Sequence, residues 1–314
     1  MVYLFALGAA LCNALVSVLQ RMGVEDAGEE DTLRLSLITH ALRRGVWLAG
    51  FALMIASFVM QALALHAGDL SEVQPLLVTE LLFLVFILAT WFGYPIGRRE
   101  WFGVTVAAGG LAGFLAFSAP TGGNKLPRNL DWLLVGGSVV AAMIVTTVLA
   151  LRGPRWWRAA MFGTAAAIAF AFTAALTKEV THYVAADGAG VFLHWETYGL
   201  AVFGVAAVFL TQNAFHAGPI GASQAAIVLV DPLVSIALGI ALFGDNLQTG
   251  GARGPLEALS LLLLVVGGFV LSHSTVIEVL KGEEGAEGDL LTPRLRARQE
   301  AAAQAESPPP RFTA

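Results

Sequence analysis

Residues 61–96 read QALALHAGDLSEVQPLLVTELLFLVFILATWFGYPI. The stretch is too long and too apolar for the core helix of a soluble domain. Within it are a helix end, a tight turn at His66-Ala67-Gly68-Asp69, a proline-bearing helix start, and one glutamate, Glu80, set in hydrocarbon-like sequence. It also has a partner elsewhere in the chain. His66-Ala67-Gly68-x-Leu70-x-x-x-Gln74 returns as His216-Ala217-Gly218-x-Ile220-x-x-x-Gln224, at a constant offset of 150.

The composition explains why such a stretch is tolerated. Of 314 residues, 57% are hydrophobic and 13% charged, with a mean hydropathy of +0.73. Soluble domains carry about 25% charged residues, so roughly half the usual solubilising charge is missing. Apolar runs of about 20 residues recur, the length that crosses a ~30 Å hydrocarbon core. The chain therefore reads as an all-α polytopic membrane protein whose first partner is the lipid bilayer. The single cysteine, Cys12, excludes a disulfide framework or a zinc-ligand pair within the chain, and is expected to be a small buried apolar residue. The N-terminus lacks a basic n-region, so it is expected to remain as a helix rather than leave as a signal peptide.

The apolar periods place spans at about 2–22, 45–66, 70–96, 100–119, 131–151, 156–181, 195–217, 219–244 and 255–274. Between the first two, LRLSLITHALRR puts Leu33, Leu37, Ile38, Ala41 and Leu42 on one face, an amphipathic helix expected at the interface over residues 31–44. The sixth span is rich in alanine and glycine, which favours close helix packing in lipid. Residues 276–314, mixed in charge and ending near Pro308-Pro309-Pro310, have no apolar period and read as a disordered tail.

Further correspondences accompany the first. At offset 157 Ala10 meets Ala167, Leu19 meets Leu176 and Arg21 meets Lys178, and Gly109-Gly110 matches Gly267-Gly268. The order of elements also repeats. The chain thus divides into a first four-helix repeat (1–119), a connector carrying the fifth span (120–155), a second repeat (156–275) and the tail (276–314). Matching spans lie five apart and cross in opposite directions, so the nine spans form a 4+1+4 inverted-topology repeat. Such repeats support alternating access. Counting Lys and Arg orients it. Lys125, Arg128, Lys178 and Arg253 fall on the N-terminal face and the other fourteen on the tail face. The positive-inside rule makes the tail cytoplasmic and the N-terminus external, in the plasma membrane.

Polar residues in such sequence need a reason. At 1.5 Å per residue Glu80 lies roughly 15 Å and Asp231 roughly 18 Å along their spans, near the midplane. A charge there costs about 2.5–3.5 kcal/mol. Each should face the bundle interior, where the two bind a cation, relay protons or hold a cationic substrate group, or else be protonated and bonded to a neighbouring helix. Asn13, Gln74 and Gln224 are further binding candidates, Gln74 and Gln224 because the repeat pairs them. Interhelical hydrogen bonds account equally for such residues. Pro75 and Pro232 each remove an N–H and free a carbonyl one turn earlier, and Pro232 is expected to open its helix. His66 and His216, at symmetry-related helix ends, are gating or interface candidates. Arg21 and Lys178 are expected to snorkel to the headgroups, with a gating contact as the sharper reading.

Ala225-Ala226-Ile227-Val228-Leu229-Val230-Asp231-Pro232-Leu233-Val234-Ser235, followed by Ala241-Leu242-Phe243-Gly244-Asp245, resembles the late-repeat signature of the drug/metabolite transporter (EamA-like) superfamily. Gln74-Pro75-Leu76-Leu77-Val78-Thr79-Glu80 is more similar to its magnesium-transporting NIPA-type branch and the bacterial relatives of that branch, which also have nine spans. The resemblance covers residues 1–275. It implies a transporter of a small solute or ion and, in its sharper variant, a divalent-cation transporter with Glu80 and Asp231 as metal-binding carboxylates. Hard Mg²⁺ takes oxygen ligands and keeps several waters.

Other classes fare worse. No His-Glu-x-x-His zinc motif and no Gly-x-Ser-x-Gly occurs, so an enzyme is not expected, and neither is a cofactor. A membrane scaffold using the tail as its interaction segment is the alternative from another class. Basic residues are scattered at headgroup level, which leaves nucleic-acid binding without support.

Overall fold

Backbone N–H and C=O groups in hydrocarbon have no water to bond, so a chain this apolar must satisfy them within helices. The computed structural model describes residues 1–25, 45–91, 97–118, 125–218, 220–246 and 253–273. Among these residues nine helical segments are long and apolar enough to cross a membrane. The helices are α1 (Val2–Glu25), α2 (Gly45–Ala67), α3 (Leu70–Leu77), α4 (Glu80–Trp91), α5 (Arg98–Ser118), α6 (Asn129–Ala150), α7 (Arg155–Asp187), α8 (Trp195–Ala217), α9 (Ile220–Leu238) and α10 (Arg253–Ser272). The amphipathic segment expected at 31–44 and the tail at 276–314 lie outside the described residues.

Helix α7 is the centre of the bundle. It packs against α8, α9, α6 and α2, and 67% of its span is buried inside the protein, against 11% for α6. Small side chains allow this. Ala159, Ala165, Ala166, Ala167, Ala169, Ala171 and Ala175 are fully buried, and a Cβ at Gly163 would meet the Ser223 carbonyl oxygen at 2.6 Å. In lipid, close backbone approach replaces the hydrophobic effect as the source of helix association. The connector helix α6 instead presents Leu133, Leu134, Ile144, Val145 and Val148 outward, as a lipid-facing surface requires.

Packing elsewhere follows pairs. Helix α1 lies on α2 and on the α3–α4 span, while α7 lies on α8 and on α9. Helices α5 and α10 pack closely on each other, through Gly110 against the backbone of Leu264 and Gly267 against that of Ala107.

Four details differ from the sequence expectation. The third span is interrupted: α3 ends at Leu77 and α4 begins at Glu80. The Val78 and Thr79 amides bond back only three residues, to Pro75 and Leu76 (3.3 and 3.1 Å), and the Thr79 hydroxyl donates to the Leu76 carbonyl at 2.7 Å. Pro75 withholds one N–H, and this tightened turn follows it. Pro232, by contrast, does not open its helix, since α9 continues through it to Leu238. The irregularity comes later, as a π-helical turn over Gly239–Phe243 closed by Gly244 at φ +69°.

The sixth span also runs past its expected end at about residue 181. Lys178 and Glu179 are buried, at 6% and 5% exposure, and the helix runs on to Asp187. It stops at Gly188, whose φ of +56° suits glycine, and a short 3₁₀ helix, Gly188–Leu193, leads into α8. Cys12 is half-buried rather than fully enclosed.

Candidate functional site

The turn between α2 and α3 is the shortest connection in the first half, and it presents an acid inward. The Asp69 carbonyl accepts from the Glu72 and Val73 amides, at 3.1 and 2.9 Å, to start α3. Its carboxylate makes no capping bond, although aspartate at this position ordinarily caps with its side chain. It turns instead to Lys178 of α7, with Nζ 3.4 Å from Oδ1. The same ammonium lies 3.9 Å from Oδ1 of Asp245, just past the π-helical turn, and 4.8 Å from the centre of the Phe243 ring. Asp245 Oδ2 accepts from both the amide (3.0 Å) and the hydroxyl (2.9 Å) of Ser71, in the first turn of α3.

Distant segments are tied together here. Asp69 and Ser71 come from the first half of the chain, Lys178 and Asp245 from the second. The side chains of Lys178 and Asp245 are 7% and 0% exposed, so this is a buried network rather than a surface pair. Gly239 makes room for it: a Cβ there would strike Asp245 Oδ2 and come within 3.3 Å of the Ser71 amide nitrogen. Burial pushes the Asp69 carboxyl above its ordinary range, and Lys178 opposes that shift. Two acids face one ammonium, and Asp245 Oδ1 has no hydrogen-bond partner.

The surroundings brace this end of the bundle. Lys125 donates from Nζ to the Ala241 carbonyl at 3.0 Å and from its amide to that of Phe243 at 3.3 Å. Trp132 packs edge-on against Phe172, Trp195 and Phe243. Nearby on α7, the Tyr183 ring stacks on His194, with centroids 3.7 Å apart, and its hydroxyl lies 3.5 Å from the buried Glu196.

A second polar group sits deeper. Glu80 opens α4 directly after the break, and Asp231 lies in α9. Both are half-buried within the protein, and they are close enough to act on each other electrostatically. The Ser235 hydroxyl donates to Asp231 Oδ1 at 3.4 Å. Gln74, one turn into α3, is buried with its amide nitrogen Nε2 lacking a hydrogen-bond partner. Helices α3 and α9 touch. At 1.5 Å per residue, however, Gln74 and Gln224 each lie only about 6 Å from the start of spans that enter from opposite faces. Gln74 and Gln224 are therefore not brought together.

Of the remaining candidates, Asn13 is engaged between helices: its side-chain oxygen accepts from the Ser57 hydroxyl at 2.6 Å. Ser57→Ala is expected to destabilise the protein by about 0.6 kcal/mol, and by no more than about 1.7, measured by chemical unfolding in detergent micelles. His66 is exposed at the end of α2, its ring 5.3 Å from that of His182. His216 is exposed at the end of α8, the opposite end of the bundle by span direction. The Arg21 side chain lies outside the described residues. Lys178 corrects the snorkelling expectation. A long basic side chain reaches for headgroups only where no acid meets it inside, and here two do.

Asp69, Ser71, Phe243 and Asp245 are the residues that sequence reasoning missed as partners. A signal existed. The span count puts Lys178, Asp69 and Asp245 at the same face, and an acid in a four-residue turn beside a buried lysine is a pairing worth testing.

Compared with known proteins, the chain is 28% identical over 278 residues to an uncharacterized protein of Corynebacterium glutamicum, covering 87% of this chain and 95% of that one. A match of that extent takes in most of the spans rather than one motif. No family model matches the chain, and no solved structure does.

Proposed function

We propose that this multi-pass membrane protein is a secondary transporter of the drug/metabolite type, moving a small solute or ion by alternating access between two inverted four-helix repeats. One observation carries the reading: Glu80, directly after a break in the third span, and Asp231, in the eighth, are ionisable groups deep in apolar spans and near enough to act on each other electrostatically. Ionisable groups at that depth are costly and are kept for ion or substrate pathways. Interrupted helices at such depth are tolerated where they line a cavity or are enclosed by protein. The paired packing of α1 with α2 and of α7 with α8, and the contact of α5 with α10, support two related halves. In this reading the N-terminus is external, the tail is cytoplasmic and the membrane is the plasma membrane.

The magnesium-transporting variant uses the same two carboxylates. Among the described residues no group of three or more His, Cys, Asp or Glu side chains comes together as a metal site. A magnesium ion would therefore keep most of its waters here, as it commonly does.

The test is flux in proteoliposomes, carrying a pH-sensitive or a magnesium-sensitive dye and challenged with divalent cations, amino acids, nucleotide-sugars and cationic drugs. The wild-type protein should transport a member of this set. Asp231→Asn and Glu80→Gln should each lower the rate at least about tenfold, the worth of roughly 1.4 kcal/mol. Full flux with unchanged pH dependence in both variants would remove the acids from the site.

A further inference from the structure

The buried trio at the N-terminal end does more than hold helices together. Its members come from the two halves whose relative motion the transport reading requires: the α2–α3 turn on one side, α7 and the end of α9 on the other. Opening a path from that face to Glu80 and Asp231 must separate the α3 start from the α9 end. The bonds that span this gap are those of Asp245 to Ser71 and of Lys178 to Asp69.

The repeat does not reproduce both signs of charge. At offset 150 Asp69 corresponds to Pro219, Ser71 to Gly221 and Asp245 to Pro95, while Lys178 corresponds to Arg21 at offset 157. The cation is kept at the other end, and neither acid is. We propose that Asp69, Lys178 and Asp245 form an ionic gate that closes the N-terminal face, its two acids not reproduced at the repeat-related positions of the opposite end. The proposal rests on the transporter reading for its two-sidedness.

The composition of the gate suits a contact that must break. Its closest ammonium–carboxylate distance is 3.4 Å, longer than the 2.7–2.9 Å of a strong charge-assisted hydrogen bond. Asp245 Oδ1, in a side chain wholly excluded from solvent, lacks a hydrogen-bond partner, so the cluster leaves one buried carboxyl oxygen unsatisfied. The ring of Phe243 supplies a face over which the ammonium is held without a fixed donor geometry.

The experiment reads accessibility and needs no substrate. Cys12 is the only cysteine, so Cys12→Ser provides a silent background. Gln74→Cys reports from just beneath the gate and Gln224→Cys from the opposite end. Each is labelled with a membrane-impermeant maleimide applied from its own face in oriented vesicles. Adding Lys178→Met should raise labelling at position 74 at least about tenfold and lower it at 224, a population shift of one decade. A rise at both positions would mark the trio as a structural staple, and any other pattern without opposite changes would likewise overturn the gate. Should Lys178→Met not yield folded protein, Asp69→Asn is read in the same way, since it cuts the 3.4 Å link and leaves Lys178 neutralised by Asp245. Flux stands apart from this readout: wild-type flux without opposite labelling changes would overturn the gate and leave the transporter standing.

Discussion

Gly267→Ala is expected to leave little or no folded protein, and Gly110→Ala to do the same, while Gly109→Ala is tolerated. A methyl group at Gly267 would overlap the Ala107 backbone nitrogen and stand 2.6 Å from its Cα. One at Gly110 would overlap the Leu264 amide nitrogen and stand 2.7 Å from the Ser260 carbonyl oxygen. The obstacles are backbone atoms of a facing helix, so no rotamer change relieves them, and α5 and α10 must move apart along their whole contact. Overpacking a core costs about 1–3 kcal/mol where neighbours can give, and more where they cannot. At Gly109 a Cβ meets nothing within 4 Å, and alanine is the better helix former by about 1 kcal/mol. Yield of monodisperse protein and its thermal midpoint in detergent separate the cases. Equal tolerance of all three substitutions would contradict the close α5–α10 crossing.

Lys178→Met should lower stability by about 3–5 kcal/mol, the usual result of removing one partner from a buried ion pair. Methionine fills similar volume, so the loss comes from charge: Asp69 and Asp245 are left facing each other inside the protein with nothing between them. The triple change Asp69→Asn, Lys178→Met, Asp245→Asn should recover most of that loss. Neutral side chains of the same shape carry no such desolvation penalty, and Asp245→Asn retains a side-chain carbonyl oxygen for the Ser71 donors. Thermal unfolding of the single and triple variants decides between charge and packing. A triple variant no more stable than Lys178→Met would assign the effect to lost packing around Phe243.

Much of the architecture is legible without coordinates because crossing a bilayer is a local requirement. Twenty apolar residues in a row announce a helix wherever the rest of the chain lies, and the segments at 45–66, 100–119 and 195–217 fall within a few residues of α2, α5 and α8. Charge is a poor marker of where a span ends. Lys178 and Glu179 looked like the edge of the sixth span because an unpaired charge belongs at the interface. The partners of Lys178 lie far along the chain, so nothing within the segment announced that α7 continues. The break after Leu77 had a visible cause in Pro75, yet Pro232 has the same cause and α9 runs on. Proline withholds one hydrogen bond in both places, and the neighbouring helices decide whether the helix tolerates it.

The His-Ala-Gly stretch recurs at 66 and 216, and residues 61–96 contain the turn, the proline and the acid Glu80. From sequence alone come the nine spans, the depth of Glu80 and Asp231, and the asymmetry of basic residues between the faces, since each is a property of one segment or a sum over segments. Tertiary structure decided that Lys178 turns inward to Asp69 and Asp245 instead of outward to lipid. Pair energies depend on distances between residues far apart in sequence, and only the packed bundle sets those distances.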